Sequence, residues 1–80
     1  MRYSSGDIVS LDNCDWIVLF DLFNNDIQYW FVNAINMETE EFYSDYCFID
    51  SNGNKVVDNV IIEELIPLMK NKLNSINDFI

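Results

Sequence analysis

Two consecutive stretches of this chain, residues 15–23 and 27–35, are apolar on both faces when read with the two-residue period of a strand. In the first, Trp16, Val18, Phe20 and Leu22 alternate with Ile17, Leu19, Asp21 and Phe23. In the second, Ile27, Tyr29, Phe31 and Ile35 alternate with Gln28, Trp30, Val32 and Ala34. A hairpin lying on a protein surface needs one apolar face only. Two such faces demand a sheet covered on both sides, or a curled sheet with its outer face against something else. Between the stretches, Asn24, Asn25 and Asp26 tolerate left-handed backbone, which predicts a tight turn and a central antiparallel hairpin.

The flanks extend this pattern. Residues 7–11 read as a short strand entered through Gly6, residues 37–41 as an acidic connection, and residues 42–50 as a fourth strand. Asn52-Gly53 is the strongest hairpin signal in the chain and predicts that residues 55–57 return as a fifth strand. The period then changes. Leu65, Leu68, Met69, Leu73 and Ile76 share one helical stripe, so a helix is expected over about residues 60–76. Pro67 costs about 3 kcal/mol inside a helix. The helix should therefore begin near Glu63, where Glu63 and Glu64 suit a first turn, or kink at the proline; Lys70 and Lys72 suit its later part. The expectation is one domain over residues 1–80. Its class is α+β, with a four- to five-stranded antiparallel, strongly curled sheet and one C-terminal helix.

A domain of 80 residues buries only about 60% of its unfolded surface. With 50% of residues apolar and 15% aromatic, this chain can still build a core, which excludes an acidic disordered tail. Cys14 and Cys47 form no CxxC motif; a single disulfide is open to them, but buried free thiols in a reducing cytosol fit the composition better. The start of the chain lacks the apolar segment of a secretory signal, and the longest apolar run, residues 16–20, is far too short to span a membrane. A cytoplasmic location is expected.

Catalytic and metal chemistry find little to work with. The chain has no histidine, the commonest general base. Its 14 acids make accidental carboxylate pairs common, and a small domain has little room for a substrate cleft. Asp50, Asn52 and Asn54 match the first, third and fifth positions of a calcium loop, and Asp58 the ninth. The sixth, however, is Lys55 rather than glycine and the twelfth is Ile61 rather than glutamate, so a plain turn is expected. Two cysteines make no zinc site, and Gly6 and Gly53 make no phosphate loop. Neither an enzyme nor a cofactor is expected.

Charge is the remaining signal. The net charge is -10, and between Tyr3 and Asn54 there is no lysine or arginine. That interval holds Asp7, Asp12, Asp15, Asp21, Asp26, Glu38, Glu40, Glu41, Asp45 and Asp50. Such a field repels nucleic acid and anionic lipid and attracts proteins that bind nucleic acid. Direct nucleic-acid binding is not expected, because Arg2, Lys55, Lys70 and Lys72 are the only basic residues. Alternate residues of an extended strand stand about 6.8 Å apart, a spacing of the same order as that of backbone phosphates. The candidate phosphate-like acids are Glu38, Glu40, Glu41 and Asp45, then Asp12 and Asp15, then Asp21 and Asp26 around the central turn. For each one alone, turn chemistry is the stronger reason; the absence of opposing cations is what raises the set. Tyr29, Trp30, Phe42, Tyr43 and Tyr46 are candidates for an exposed aromatic face, with ordinary core as the alternative.

Gly6-Asp7-Ile8-Val9-Ser10-Leu11, followed by Asp15-Trp16-Ile17-Val18-Leu19, resembles the opening of small SH3-like barrel proteins. In those families a short Gly-Asp-hydrophobic strand precedes a long bent hairpin. The resemblance covers residues 6–57 and implies a curled sheet; its members include binding modules, toxins and phage proteins, so it transfers no function. In size, charge and compactness the chain is similar to phage-encoded anti-defence inhibitors of the anti-CRISPR and anti-restriction types. That similarity implies an inhibitor occupying the basic nucleic-acid-binding surface of an enzyme or effector. The alternative is an SH3-like adaptor or accessory subunit that binds a protein through its aromatic face, with a homodimer as one form.

Overall fold

A computed structural model describes residues 2–77, with side chains described through residue 75. Strands β1 (Ile8–Leu11), β2 (Cys14–Asn24), β3 (Ile27–Asn36) and β4 (Glu41–Ile49) precede one helix, α1 (Asn59–Asn77). The strands pair antiparallel in the order β1-β2-β3-β4. The α+β class, the four antiparallel strands and the C-terminal helix match the expectation. Asp12 and Asn13 (φ 53° and 61°) and Asn25 and Asp26 (φ 53° and 63°) all take left-handed backbone. Two such residues in succession make the primed turn that suits strand twist, so Leu11 faces Cys14 and Asn24 faces Ile27.

The expected single face of Trp16, Val18, Phe20 and Leu22 is split. The β2–β3 register shifts between Val18 and Phe20, leaving Leu19 as an extra residue. One inserted residue reverses the direction of everything after it. Trp16 and Val18 therefore join Trp30, Val32, Ala34, Cys47 and Ile49 on one face, while Leu22 joins Tyr29, Phe31 and Phe48 on the other.

Each face has its own cover. Over the first lies the N-terminal segment: Tyr3 stacks edge-on against Trp30 at 5.1 Å, and its carbonyl accepts the Trp30 indole N–H at 3.0 Å. Trp16 donates its own indole N–H to the Leu11 carbonyl at 3.0 Å. Each buried indole is thus hydrogen-bonded as well as packed. Burying a side chain the size of Trp30 stabilises the fold by at most about 4–6 kcal/mol, from roughly 150–250 Å² at about 25 cal/mol per Å². Over the second face lies α1, with Leu65 and Met69 buried against Leu22, Tyr29, Phe31 and Phe48.

The expected fifth strand is reduced to a single bridge. Asp50 Oδ1 accepts the N–H groups of Asn52 and Asn54 at 2.9 and 3.0 Å, and Gly53 N–H donates to the Asp50 carbonyl at 3.0 Å. Gly53 has φ 81°, and a Cβ there would lie 2.8 Å from the Tyr3 hydroxyl. Lys55 then bridges Ile49, and Val56 N–H reaches the Phe48 carbonyl at 2.8 Å. Pairing stops because Asp58 starts the helix. Its Oδ1 accepts the Val60 N–H at 2.9 Å and its carbonyl the Ile62 N–H at 3.0 Å, an N-cap.

The helix therefore begins ahead of Glu63, and Glu63 and Glu64 lie beyond its first turn. Pro67 sits within it on the exposed side, and the helix continues through it. Leu68 and Leu73 are half-buried as the stripe requires, and the Ile76 side chain lies outside the described residues. Both cysteines are free; Cys47 is buried, but Cys14 is exposed, contrary to expectation. Among the described residues, no helix is long and apolar enough to cross a membrane.

Candidate functional site: the acidic end of the sheet

Antiparallel order brings together two acidic groups that are far apart in sequence. Asp15 pairs with Ile35, so the β1–β2 turn and the β3–β4 loop share one end of the sheet. Asn13 and Asp15 thus stand near Glu38 on the loop that also carries Glu40 and Glu41, whereas the Asp12 carboxylate is turned to Lys55. A shallow depression of about 500 Å³ lies between them, lined by Cys14, Asp15, Ile35, Met37, Glu38 and Tyr43 among others.

The β3–β4 loop is braced from within. Asn36 Oδ1 accepts the N–H groups of Glu38 and Thr39 at 2.9 and 3.3 Å. Glu40 N–H donates to the Asn36 carbonyl at 2.7 Å, and Glu41 N–H to Thr39 Oγ1 at 3.4 Å. This geometry puts Glu40 at φ 59°. Left-handed backbone costs an L-residue about 1–2 kcal/mol, and glycine or asparagine would adopt it more easily.

Past the loop, the β3–β4 register breaks between Asn33↔Tyr46 and Ile35↔Phe42. Asn33 holds the break in place, its amide donating to the carbonyls of Tyr43 at 2.8 Å and Ala34 at 3.0 Å. Phe42, Tyr43 and Tyr46 stand 59%, 55% and 44% exposed around it. The Tyr46 ring is seated against Phe31 and Phe48, with centroids 5.4 and 6.1 Å away. Tyr29 and Trp30 are different. At 6% and 1% exposure they are core, because β3 is a central strand with both faces covered, and neither takes part in an exposed aromatic face.

The acids divide as clearly. Asp12 pairs with Lys55 Nζ at 3.3 Å, a solvent-exposed contact worth about 0–1 kcal/mol. Asp15 accepts the Ser10 hydroxyl at 3.3 Å. Glu38, Glu40, Glu41 and Asp45 are exposed, and among the described residues no cation pairs with them. Asp21 lies apart from this end and ties α1 to β2. Lys72 Nζ is 3.2 Å from its Oδ1 and 2.6 Å from its carbonyl, and Gln28 donates to Oδ2 at 3.0 Å. Partial burial pushes the Asp21 carboxyl up, but the bonds from Gln28 and Lys72 together with the Lys72 charge hold it below 3.8. Asp26 occupies the turn at the opposite end of the sheet.

Two residues of the site were not singled out from sequence. Met37 is exposed at the loop, and nothing in its neighbourhood marks it. Asn33 did leave a sign: it is a lone amide in an apolar stretch, placed where a carbonyl needs a donor. Among the described residues, no group of acid or thiol side chains is arranged to hold a metal ion. No protein-family model, curated protein or solved structure matches the chain.

Proposed function

We propose that this protein is an acidic inhibitor that occupies the basic nucleic-acid-binding surface of a target protein, as a nucleic-acid mimic of the anti-CRISPR or anti-restriction type. The observation that carries the reading is Glu40. Solubility needs charge somewhere on the surface; it does not need a glutamate at φ 59°, flanked by Glu38 and Glu41 on a loop that shares its end of the sheet with Asp15. A net charge of -10 also exceeds the magnitude of about 2–8 that keeps a small domain soluble.

The mechanism follows from fixed charge. Carboxylates on a braced loop steer a lysine- and arginine-lined groove into contact and release its counterions. Phe42 and Tyr43, exposed beside them, supply contacts that exclude water once the groove is filled. The partner is a basic enzyme or effector, and the site of action is the cytoplasm of a phage's host cell. Replacing Glu38, Glu40 and Glu41 by lysine tests the reading. It moves the net charge from -10 by +6 to -4. Partner binding and inhibition are expected to be lost while circular dichroism is unchanged; unchanged inhibition with an intact fold sinks the proposal.

A specific observation favours a second reading. Val9 and Leu11 of β1 share a core with Cys47 and Ile49 of β4, although the two strands lie at opposite edges of the sheet. Lys55 also reaches Asp12. These contacts support an SH3-like curl, and with it an adaptor or accessory subunit that binds through Phe42, Tyr43 and Tyr46. A partner held equally well at high salt and by the lysine variant would select this reading.

A further inference from the structure

The pairing register lets the helix-bearing face of the sheet be followed row by row. Beneath α1 lie Leu22 opposite Tyr29, then Phe20, Phe31 and Phe48 side by side. The same face continues beyond the helix. Its next row is Ile8, Ile17, Asn33 and Tyr46, and the one after that Ser10, Asp15, Ile35 and Phe42. None of these residues belongs to the core that α1 closes. Ile8 at one edge of the sheet is 41% exposed, and Tyr46 and Phe42 at the other are exposed too. This part of the face lies outside the helix's cover: its apolar side chains run from exposed Ile8 through half-buried Ile17 and buried Ile35 to exposed Phe42 and Tyr46, with Ser10, Asp15 and Asn33 as its polar members.

We propose that this part of the face docks an amphipathic helix of the target protein whose flanks are basic. The proposal rests on the reading above that the partner is a basic protein, and it names the element that partner presents. Sheet faces are covered by helices or by other sheets, and the vacant area lies alongside α1, where a second helix would complete the layer. Charge selects the partner. Asp15 lies within the vacant rows, Glu41 and Asp45 beside them on β4, and Glu38 at their acidic end. Lys55 and Lys72 are engaged by Asp12 and Asp21. A second copy of this chain would bring another charge of -10 and, across a two-fold axis, set these acids against themselves. A strand added to the edge of β4 fits less well. That edge is irregular between Phe42 and Tyr46, and Lys55 and Val56 already cover its far end. A docked helix needs no hydrogen bonds from the edge.

The probe is a synthetic leucine–lysine peptide of about five helical turns with an amphipathic pattern. It is compared with a scrambled peptide of identical composition and with oligolysine, by NMR titration of the full-length protein. The patterned peptide is expected to shift the amides of Ile8, Ile17, Ile35, Phe42 and Tyr46 and to bind at least about tenfold more tightly than the scrambled one. Phe42→Ser with Tyr46→Ser, and separately Ile8→Ser at the far edge, should abolish that preference while the native circular dichroism persists at the titration temperature, although loss of the Tyr46 ring contacts with Phe31 and Phe48 lowers the melting temperature. Equal binding of all three peptides would mean that only charge is read; it overturns the docking proposal and leaves the mimic reading standing. Shifts centred elsewhere overturn it too, as does a dimer in sedimentation that Phe42→Ser and Tyr46→Ser dissolve, since the occupant would then be a second copy. Conversely, peptide docking as described, with a target that nucleic acid cannot displace, overturns the mimic reading alone.

Discussion

Glu40→Gly is expected to stabilise the fold and weaken its function at the same time. At φ 59° an L-residue carries about 1–2 kcal/mol of backbone strain, which glycine does not. Glycine also adds about 0.5–1 kcal/mol of unfolded-chain entropy, so the net stabilisation is about 0.5–1 kcal/mol. The hydrogen bond from Glu40 N–H to the Asn36 carbonyl belongs to the backbone and survives. Removing a carboxylate from between Glu38 and Glu41 acts in the same direction. In a domain of this size, that stabilisation raises the melting temperature by about 2–8 °C. Thermal unfolding followed by circular dichroism at low and high salt separates the causes: repulsion is screened by salt, whereas relief of strain is not. Glu40→Asn should behave similarly, since asparagine tolerates left-handed backbone and carries no charge. A lower melting temperature would refute the strain assignment. A more stable Glu40→Gly variant that inhibits as well as the parent would refute the claim that Glu40 is kept for contact.

Other outcomes follow from the packing. Asp58→Ala removes the N-cap of α1 and should cost about 1 kcal/mol, lowering the melting temperature by about 4–8 °C; no change would mean that the cap is idle. Lys72→Met should raise the Asp21 carboxyl toward 3.8, as read by carbon NMR titration. Because that carboxyl is depressed in the folded protein, its contribution to stability is present above pH 3.8 and is lost as pH falls through the lower folded value. An unmoved titration would remove Lys72 from the account. Burial pushes the Cys47 thiol up to about 11, so iodoacetamide at pH 8 should label Cys14 alone in the native protein. A raised thiol favours the folded state below 9.0 and loses that advantage as pH climbs toward about 11. Rapid labelling of Cys47 would show that its cover opens.

Much of the fold is legible in the chain, for local reasons. Asn and Asp mark both two-residue turns because they accept left-handed backbone, and two-sided apolar strands require two covers. The bulge at Leu19 leaves no trace: every residue from Trp16 to Phe20 is apolar, so shifting the register by one produces no polar mismatch. The helix start is written in Asp58, a good N-cap two residues ahead of apolar Val60 and Ile61. Pro67 and the Glu63-Glu64 pair outweigh that signal when propensities alone are compared. The burial of Tyr29 and Trp30 follows from the same two-sided pattern that identifies β3 as central, and tyrosine's preference for interfaces points the other way. The meeting of Asp15 with Glu38, and the turn of Asp12 toward Lys55, depend on strand order and curl, which no local spacing reveals.

Competition bears most directly on the central claim. Tagged protein would be used to capture binding proteins from nuclease-treated bacterial lysate, and the captured partner then titrated with single- and double-stranded nucleic acid at rising salt. The account predicts a basic protein that nucleic acid displaces, that is released steeply as salt increases, and that fails to bind when Glu38, Glu40 and Glu41 are lysines. A partner indifferent to salt, to nucleic acid and to those three substitutions would contradict it.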